Sequence, residues 1–170
     1  MIKVFLLAVM VVGFTKASYG VDAFYLGGDI GYVNLTGRTA ALYNHTIGFG
    51  LDFGFRTGAN VDLTLGLGAS SHSGSGGLTL FSPTLSADIM LAEINDFEFL
   101  VGGGPGFYFF KDLVTTESKF GLNFGGVGNV VLDNIRIGLG YRYHMIFNGT
   151  TSDNYWTLMM RFGYLFDLLG

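Results

Sequence analysis

The stretch IRIGLGYRYHMIF, residues 135–147, alternates between two kinds of side chain. Its odd positions hold isoleucine, leucine, tyrosine, methionine and phenylalanine, whereas its even positions hold arginine, glycine, histidine and one isoleucine. Residues two apart share one face of a β-strand, whereas a helix would scatter both sets around its circumference. The stretch therefore predicts a strand with one bulky apolar face and one mixed polar face.

Seven further segments show the same alternation. They are residues 24–33, 45–56, 61–70, 81–91, 97–110, 120–132 and 156–166. Each is close to the ~9–11 residues with which a tilted strand crosses a bilayer. The connections alternate between long (34–44, 70–79, 111–118, 148–153) and short (57–60, 92–96, 133–134). An even strand number, with long loops at one rim and tight turns at the other, is typical of an outer-membrane barrel.

The composition narrows the class of protein. The 170 residues include no cysteine, 28 glycines, 49% hydrophobic residues and only 13% charged residues, with a formal net charge of −4. Soluble domains average about 25% charged residues. The lack of cysteine excludes disulfides and thiol catalysis, and the negative charge argues against a nucleic-acid partner.

The N-terminal residues 1–20 predict a cleavable signal peptide. Lys3 precedes an apolar run of eleven residues, 4–14, and small residues follow it. This run is shorter than the roughly 20 residues of a membrane-spanning helix. Cleavage is expected somewhere in residues 17–23, which leaves residues 24–170 as one barrel domain in the outer membrane of a Gram-negative bacterium.

The polar face carries few charges, and they are of both signs. A soluble barrel would instead cover its outer face with lysine and glutamate. We therefore predict that the apolar face meets lipid and that the polar face fills a narrow lumen with ion pairs, because unpaired buried charge is costly. The predicted lumen network comprises Asp29, Asp52, Arg56, Asp62, Asp88, Glu98, Arg136, Arg142, His144 and Arg161.

Aromatic residues gather near both ends of the apolar face. The two interfaces of a bilayer favour such aromatic belts. The predicted girdle consists of Tyr32, Phe55, Phe81, Phe99, Tyr143, Trp156, Tyr164 and Phe166.

Residues 124–143, FGGVGNVVLDNIRIGLGYRY, read as a strand, a tight turn and a strand, and residues 158–166 alternate as a final strand. With the signal peptide, these segments resemble the small eight-stranded outer-membrane β-barrels, the group of OmpX, OmpW and the opacity proteins. The resemblance implies an all-β, up-and-down antiparallel transmembrane barrel. It also implies contact with outer-membrane lipid and lipopolysaccharide, and recognition of the C-terminal strand by the outer-membrane assembly machinery. It names no extracellular ligand.

The sequence offers no convincing catalytic set, metal cluster or cofactor motif. His144 has no serine within reach on its strand, and His72 falls in a Ser/Gly stretch, residues 70–77, that predicts a solvated loop. The preferred function is envelope structure or surface interaction through residues 34–44 and 70–79. The alternative is a narrow conduit for small hydrophobic molecules or lipids through a lateral opening beside Pro83 and Pro105, which lack a backbone donor. A lipid A-modifying enzyme is the third hypothesis.

Overall fold

A computed structural model describes residues 21–37, 39–57, 60–148 and 151–167. The predicted signal peptide, residues 1–20, lies outside these residues. In the part of the chain that is described, no helix is long and apolar enough to cross a membrane.

Eight long strands form one antiparallel sheet. They are β1 (Val21–Leu35), β2 (Thr46–Thr57), β3 (Val61–His72), β4 (Leu78–Ile94), β5 (Phe97–Lys111), β6 (Thr116–Leu132), β7 (Ile135–Asn148) and β9 (Tyr155–Asp167). A two-residue strand, β8 (Thr151–Ser152), extends the hairpin after β7, and one 3-10 turn spans Thr39–Ala41. Each long strand pairs with the next one, and β1 pairs with β9, so the sheet closes on itself. The predicted eight-stranded antiparallel barrel is confirmed.

The two faces of the barrel differ as the alternation indicates. Outward side chains are large and exposed: 60% of the surface of Phe49 and 54% of that of Leu139 is exposed. Inward side chains are polar and buried, for example Asp88 at 3% and Asn129 at 1%. A barrel with an apolar exterior fits a hydrocarbon solvent, because a closed sheet has no unpaired edge strand.

The short connections are tight turns built on three polar residues. Asn60, Asn95 and Asp133 have positive φ values of 56°, 53° and 51°. Asparagine and aspartate tolerate this left-handed conformation better than other residues that carry a Cβ. These turns define one end of the barrel, the short-turn rim, and the opposite end is the long-loop rim.

The strands reach further into the long-loop rim than the sequence pattern indicates. The predicted loop 70–79 is reduced to residues 73–77, because β3 continues to His72 and β4 already begins at Leu78. The His72 side chain is only 1% exposed. The expectation of a solvated loop at His72 was therefore wrong, since that side chain points into the barrel.

Candidate functional site: the lumen and the long-loop rim

Four charged side chains come together in the lumen near the short-turn rim. Arg56 on β2 and Arg136 on β7 each contact both Asp62 on β3 and Glu98 on β5. The Arg136 guanidinium lies 2.9 Å from Asp62 Oδ2 and 2.9 Å from Glu98 Oε2. We call this set the four-charge ring. With two positive and two negative groups it is formally neutral, which is the condition under which buried charges are tolerated.

Two smaller ion-paired groups lie deeper in the lumen. Arg161 pairs with Asp29, whose Oδ1 is 3.1 Å from the arginine Nε, and with Asp52. Arg142 pairs with Asp88 across the lumen, from β7 to β4. Nine of the ten predicted lumen residues are thus brought together in three ion-paired groups.

His144 is the exception among the predicted lumen residues. Its Nδ1 lies 3.1 Å from the Tyr108 hydroxyl, and its ring stacks on Tyr155 at a centroid distance of 4.1 Å. No ion pair joins it to a carboxylate among the described residues. The prediction that His144 belongs to the charge network was wrong, because aromatic side chains occupy its level of the barrel.

The lumen near the long-loop rim is apolar, which the sequence analysis missed. Eight inward side chains form one buried cluster that we call the apolar plug: Val33, Leu35, Leu78, Leu80, Tyr108, Phe110, Ile146 and Tyr155. A signal existed, because residues 80–81 are two consecutive apolar side chains and residues 107–110 are four consecutive aromatic ones. Such runs are apolar on both faces of a strand, so the plug extends the outer apolar surface inward.

A cavity of about 90 Å³ remains between the plug and the ion-paired groups. Its lining includes Asp52, Arg161, Ser86, His144 and Tyr155. That volume leaves room for only a few water molecules. The ring lies near the short-turn rim, and the plug lies near the long-loop rim.

Ser70 and His72 form a hydrogen-bonded pair inside the barrel. His72 Nδ1 lies 2.8 Å from the Asn44 carbonyl oxygen, so this nitrogen carries the proton. Nε2 is then free to accept from the Ser70 hydroxyl at 3.0 Å. Both side chains are buried and face the lumen rather than lipid. The pair fixes the end of β3 to the loop after β1.

The two prolines lie at one level of the seam between β4 and β5. Pro83 and Pro105 flank the pair formed by Thr84 and Gly106. The Leu85 carbonyl oxygen lies against β5, and alternate residues of a strand point to the same neighbour, so the Pro83 nitrogen also faces β5. By the same alternation, the Pro105 nitrogen faces β4. Neither nitrogen carries a hydrogen, so this seam lacks two ladder donors close together.

The eight predicted girdle residues all lie on the outward face. Near the short-turn rim, Tyr164 and Phe166 are in ring contact at a centroid distance of 4.7 Å. Near the long-loop rim, Tyr32 and Trp156 are in contact at 5.3 Å. Contacts between neighbouring rings of this kind add stability beyond the burial of area.

Hydrogen bonds tie the long loops together. The Asn44 N–H donates to the Ser73 carbonyl at 2.8 Å, which joins the loop after β1 to the loop after β3. The Thr39 hydroxyl donates to Asp153 Oδ1 at 2.8 Å, which joins the loop after β1 to the loop before β9. In the loop after β5, Asp112 Oδ1 accepts from the N–H groups of Val114 and Thr115. Within the described ranges, no cluster of His, Asp and Glu side chains is suited to hold a metal ion.

Neither a family profile nor a curated protein sequence matches this chain. Solved structures do match it. Neisserial surface protein A is 16% identical, with 84% of this chain and 97% of that chain covered and a TM-score of 0.65. The N-terminal barrel domain of Pseudomonas aeruginosa OprF is 13% identical, with 84% and 97% covered and a TM-score of 0.59. Ail, the attachment invasion locus protein of Yersinia pestis, is 18% identical, with 86% and 100% covered and a TM-score of 0.54. The resemblance to small eight-stranded outer-membrane β-barrels is confirmed at the level of the fold.

Proposed function

We propose that this chain is an integral outer-membrane protein of a Gram-negative bacterium, with a closed lumen and a long-loop rim that serves surface interaction or envelope structure. The observation that supports this proposal is that side chains block the lumen near both of its ends. The four-charge ring blocks one end, and the apolar plug blocks the other. A solute crossing the barrel would have to break both seals.

Each seal resists opening for a different physical reason. Separating a guanidinium from two carboxylates in a buried site exposes charges that no nearby water stabilises. Hydrating the plug exposes apolar side chains such as Leu80 and Ile146, which are 1% and 0% exposed. Because the costs are independent, removing one seal leaves the other in place.

Planar-bilayer conductance of the refolded mature barrel tests the closed lumen. We expect no discrete openings, with circular dichroism confirming the β-sheet in the same preparation. The double variant Glu98→Gln with Arg136→Met weakens the ring, and Tyr155→Ala weakens the plug; each alone stays silent. The variant with all three substitutions is expected to conduct ions. Steady openings in the unmodified protein would overturn the proposal.

The long-loop rim supports the surface role because its loops are held in one arrangement by the bonds from Asn44 and Thr39. Preorganised loops lose less entropy on binding than free ones do. Ail is named for attachment and invasion, and one of its structures holds the heparin analogue sucrose octasulfate. Replacing residues 39–44, which carry both of these bonds, with a Gly-Ser segment of equal length is expected to abolish adhesion of expressing cells to any surface that they bind, while leaving the barrel inserted.

We propose no enzymatic activity. The Ser70–His72 pair faces the closed lumen, and its histidine is oriented by a backbone carbonyl rather than by a carboxylate. We expect cells that express the protein and cells that express its Ser70→Ala variant to have the same lipid A composition.

The membrane-facing partners follow from the outer surface. Leu158, Met160 and Phe166 of β9 are 42–50% exposed on the face that meets lipid. We propose that this strand is read by the outer-membrane assembly machinery and that the girdle contacts outer-membrane lipid and lipopolysaccharide. Replacing Phe166 with serine is expected to reduce the amount of inserted barrel.

A second candidate function is lateral passage of a small hydrophobic molecule or lipid chain at the β4–β5 seam. The two missing donors at Pro83 and Pro105 support it, because a ladder with fewer hydrogen bonds separates at lower cost. Amide hydrogen exchange tests it. Faster exchange at Leu85 and Phe107, whose N–H groups face this seam, than at matched positions of the β1–β2 seam supports passage, and equal protection of both seams argues against it.

A further inference from the structure

A cavity of about 230 Å³ opens among the loops at the long-loop rim, separate from the cavity inside the lumen. Its floor is formed by Leu78 and Phe110 of the apolar plug and by Tyr43, which packs against the plug. We call this cavity the rim bowl. An apolar cavity of about 150 Å³ is already large enough to bind benzene. The size suits a compact organic molecule rather than a lipid chain.

The wall of the rim bowl is acidic. Asp112, Glu117 and Asp153 line it together with one cation, Lys119. These four side chains sum to a formal charge of −2. Backbone hydrogen bonds from Thr115 and Val114 hold the pKa of Asp112 below its usual value, so its carboxylate is ionised at neutral pH. An anion would meet net repulsion in this bowl, whereas a cation would be attracted.

The position of Lys119 shows which chemistry the bowl accepts. Its Nζ lies 4.9 Å from the centroid of the Phe110 ring. The same atom is 2.8 Å from Glu117 Oε2 and 2.8 Å from Asp153 Oδ2. An ammonium group held over an aromatic face between carboxylates is the arrangement by which proteins recognise amine ligands.

We propose that the rim bowl binds a small organic cation, an amine on a compact aromatic or aliphatic body. The body packs on Phe110 and Leu78, and the ammonium faces Glu117 and Asp112. This inference rests on the proposed function, because it requires the long-loop rim to face the outside of the cell. Lys119 competes with the ligand for Glu117, so the affinity is modest and depends on salt concentration.

Ligand-detected saturation-transfer NMR on the refolded barrel in nanodiscs tests the proposal. The probes are benzylamine, benzyl alcohol and benzoate, which share a ring and differ in charge. We expect benzylamine to bind, benzyl alcohol to bind at least about fivefold more weakly, and benzoate to give no signal. Equal binding of the amine and the alcohol would overturn the assignment, because it would mean that the acidic wall has no role.

Variants locate the site. Glu117→Gln is expected to weaken benzylamine binding about two- to fivefold, and Lys119→Gln to strengthen it by a similar factor, because an internal competitor is removed. Glu93→Gln is the matched control, since Glu93 is an exposed acid at the opposite end of the barrel. Equal effects of Glu117→Gln and Glu93→Gln would also overturn the assignment.

The outcome separates this inference from the function on which it rests. Conductance and circular dichroism are measured on the same preparation as the NMR. A folded, silent barrel that ignores benzylamine refutes the cation site alone. A barrel that conducts refutes the closed lumen, whatever the amine does.

Discussion

The four-charge ring makes a quantitative prediction for the variant Arg136→Met. Methionine keeps much of the apolar length of the arginine side chain but removes its charge. Asp62 and Glu98 would then share the single guanidinium of Arg56, and the ring would carry a net charge of −1. Because the native Arg136 is only 6% exposed, water cannot easily replace the lost partner.

The magnitude follows from the two contacts that disappear. Each joins Arg136 to a carboxylate oxygen at 2.9 Å. With an effective dielectric constant of about 20, each contact is worth about 6 kcal/mol before desolvation. The cost of burying the ions offsets most of this, and breaking one partner of a buried pair typically costs about 3–5 kcal/mol. Adding Glu98→Gln restores neutrality, so the double variant is expected within about 2 kcal/mol of the unmodified protein.

Urea unfolding in lipid vesicles measures these free energies. Trp156 is the single tryptophan of the chain and lies on the outward face, so its fluorescence reports on exposure to lipid. Lys111→Met is the matched control, because Lys111 is exposed and outside the ring; its expected effect is within about 0.5 kcal/mol. If the double variant loses as much stability as the sum of both single variants, the charges do not act as one ring.

Further predictions concern the seam, the plug and one loop. Replacing Pro83 or Pro105 with alanine supplies an N–H group, and we expect a gain of about 0.5–1.5 kcal/mol and slower amide exchange in β4 and β5; unchanged exchange would contradict the seam geometry. Leu80→Ala is expected to cost about 2–5 kcal/mol in urea unfolding without ion current, since the ring still closes the lumen; an open channel would contradict two independent seals. Hydrogen bonds lower the pKa of Asp112 from its ordinary value of 3.8, so they stabilise the loop above that pH and lose their effect as the pH falls through the lowered value. The amide resonance of Thr115 should therefore stay constant from pH 7 to pH 5 and shift only in stronger acid.

The strand pattern was predictable because lipid and lumen impose opposite demands on alternate residues. β7 shows this most clearly, since the predicted range 135–147 differs by one residue from Ile135–Asn148. Ion pairs between adjacent strands could be predicted only in part from the sequence. Asp29 lies directly across from Arg161, but this match depends on the register of the pairing between β1 and β9.

Contacts across the lumen could not be predicted from the alternation in the sequence. Arg136 reaches Asp62 from β7 to β3, which are not neighbours in the sheet. The rim bowl depends on loops whose relative positions are set by a few hydrogen bonds, such as those from Thr39 to Asp153 and from Thr36 to Asn154. Alternation specifies the face of a residue but not its partner on the far side of a barrel.

The origin of the ring residues in four separate strands has a consequence for assembly. β2, β3, β5 and β7 each contribute one member, so the β2–β3 hairpin holds only the pair of Arg56 with Asp62, and the pair of Arg136 with Glu98 needs β5 and β7. The two pairs contact each other only across the finished barrel, so a partly inserted sheet lacks the bonds from Arg56 to Glu98 and from Arg136 to Asp62, and it gains them only when the last of these strands is in place. The ring thus makes insertion cooperative, and it penalises barrels that close with a strand missing.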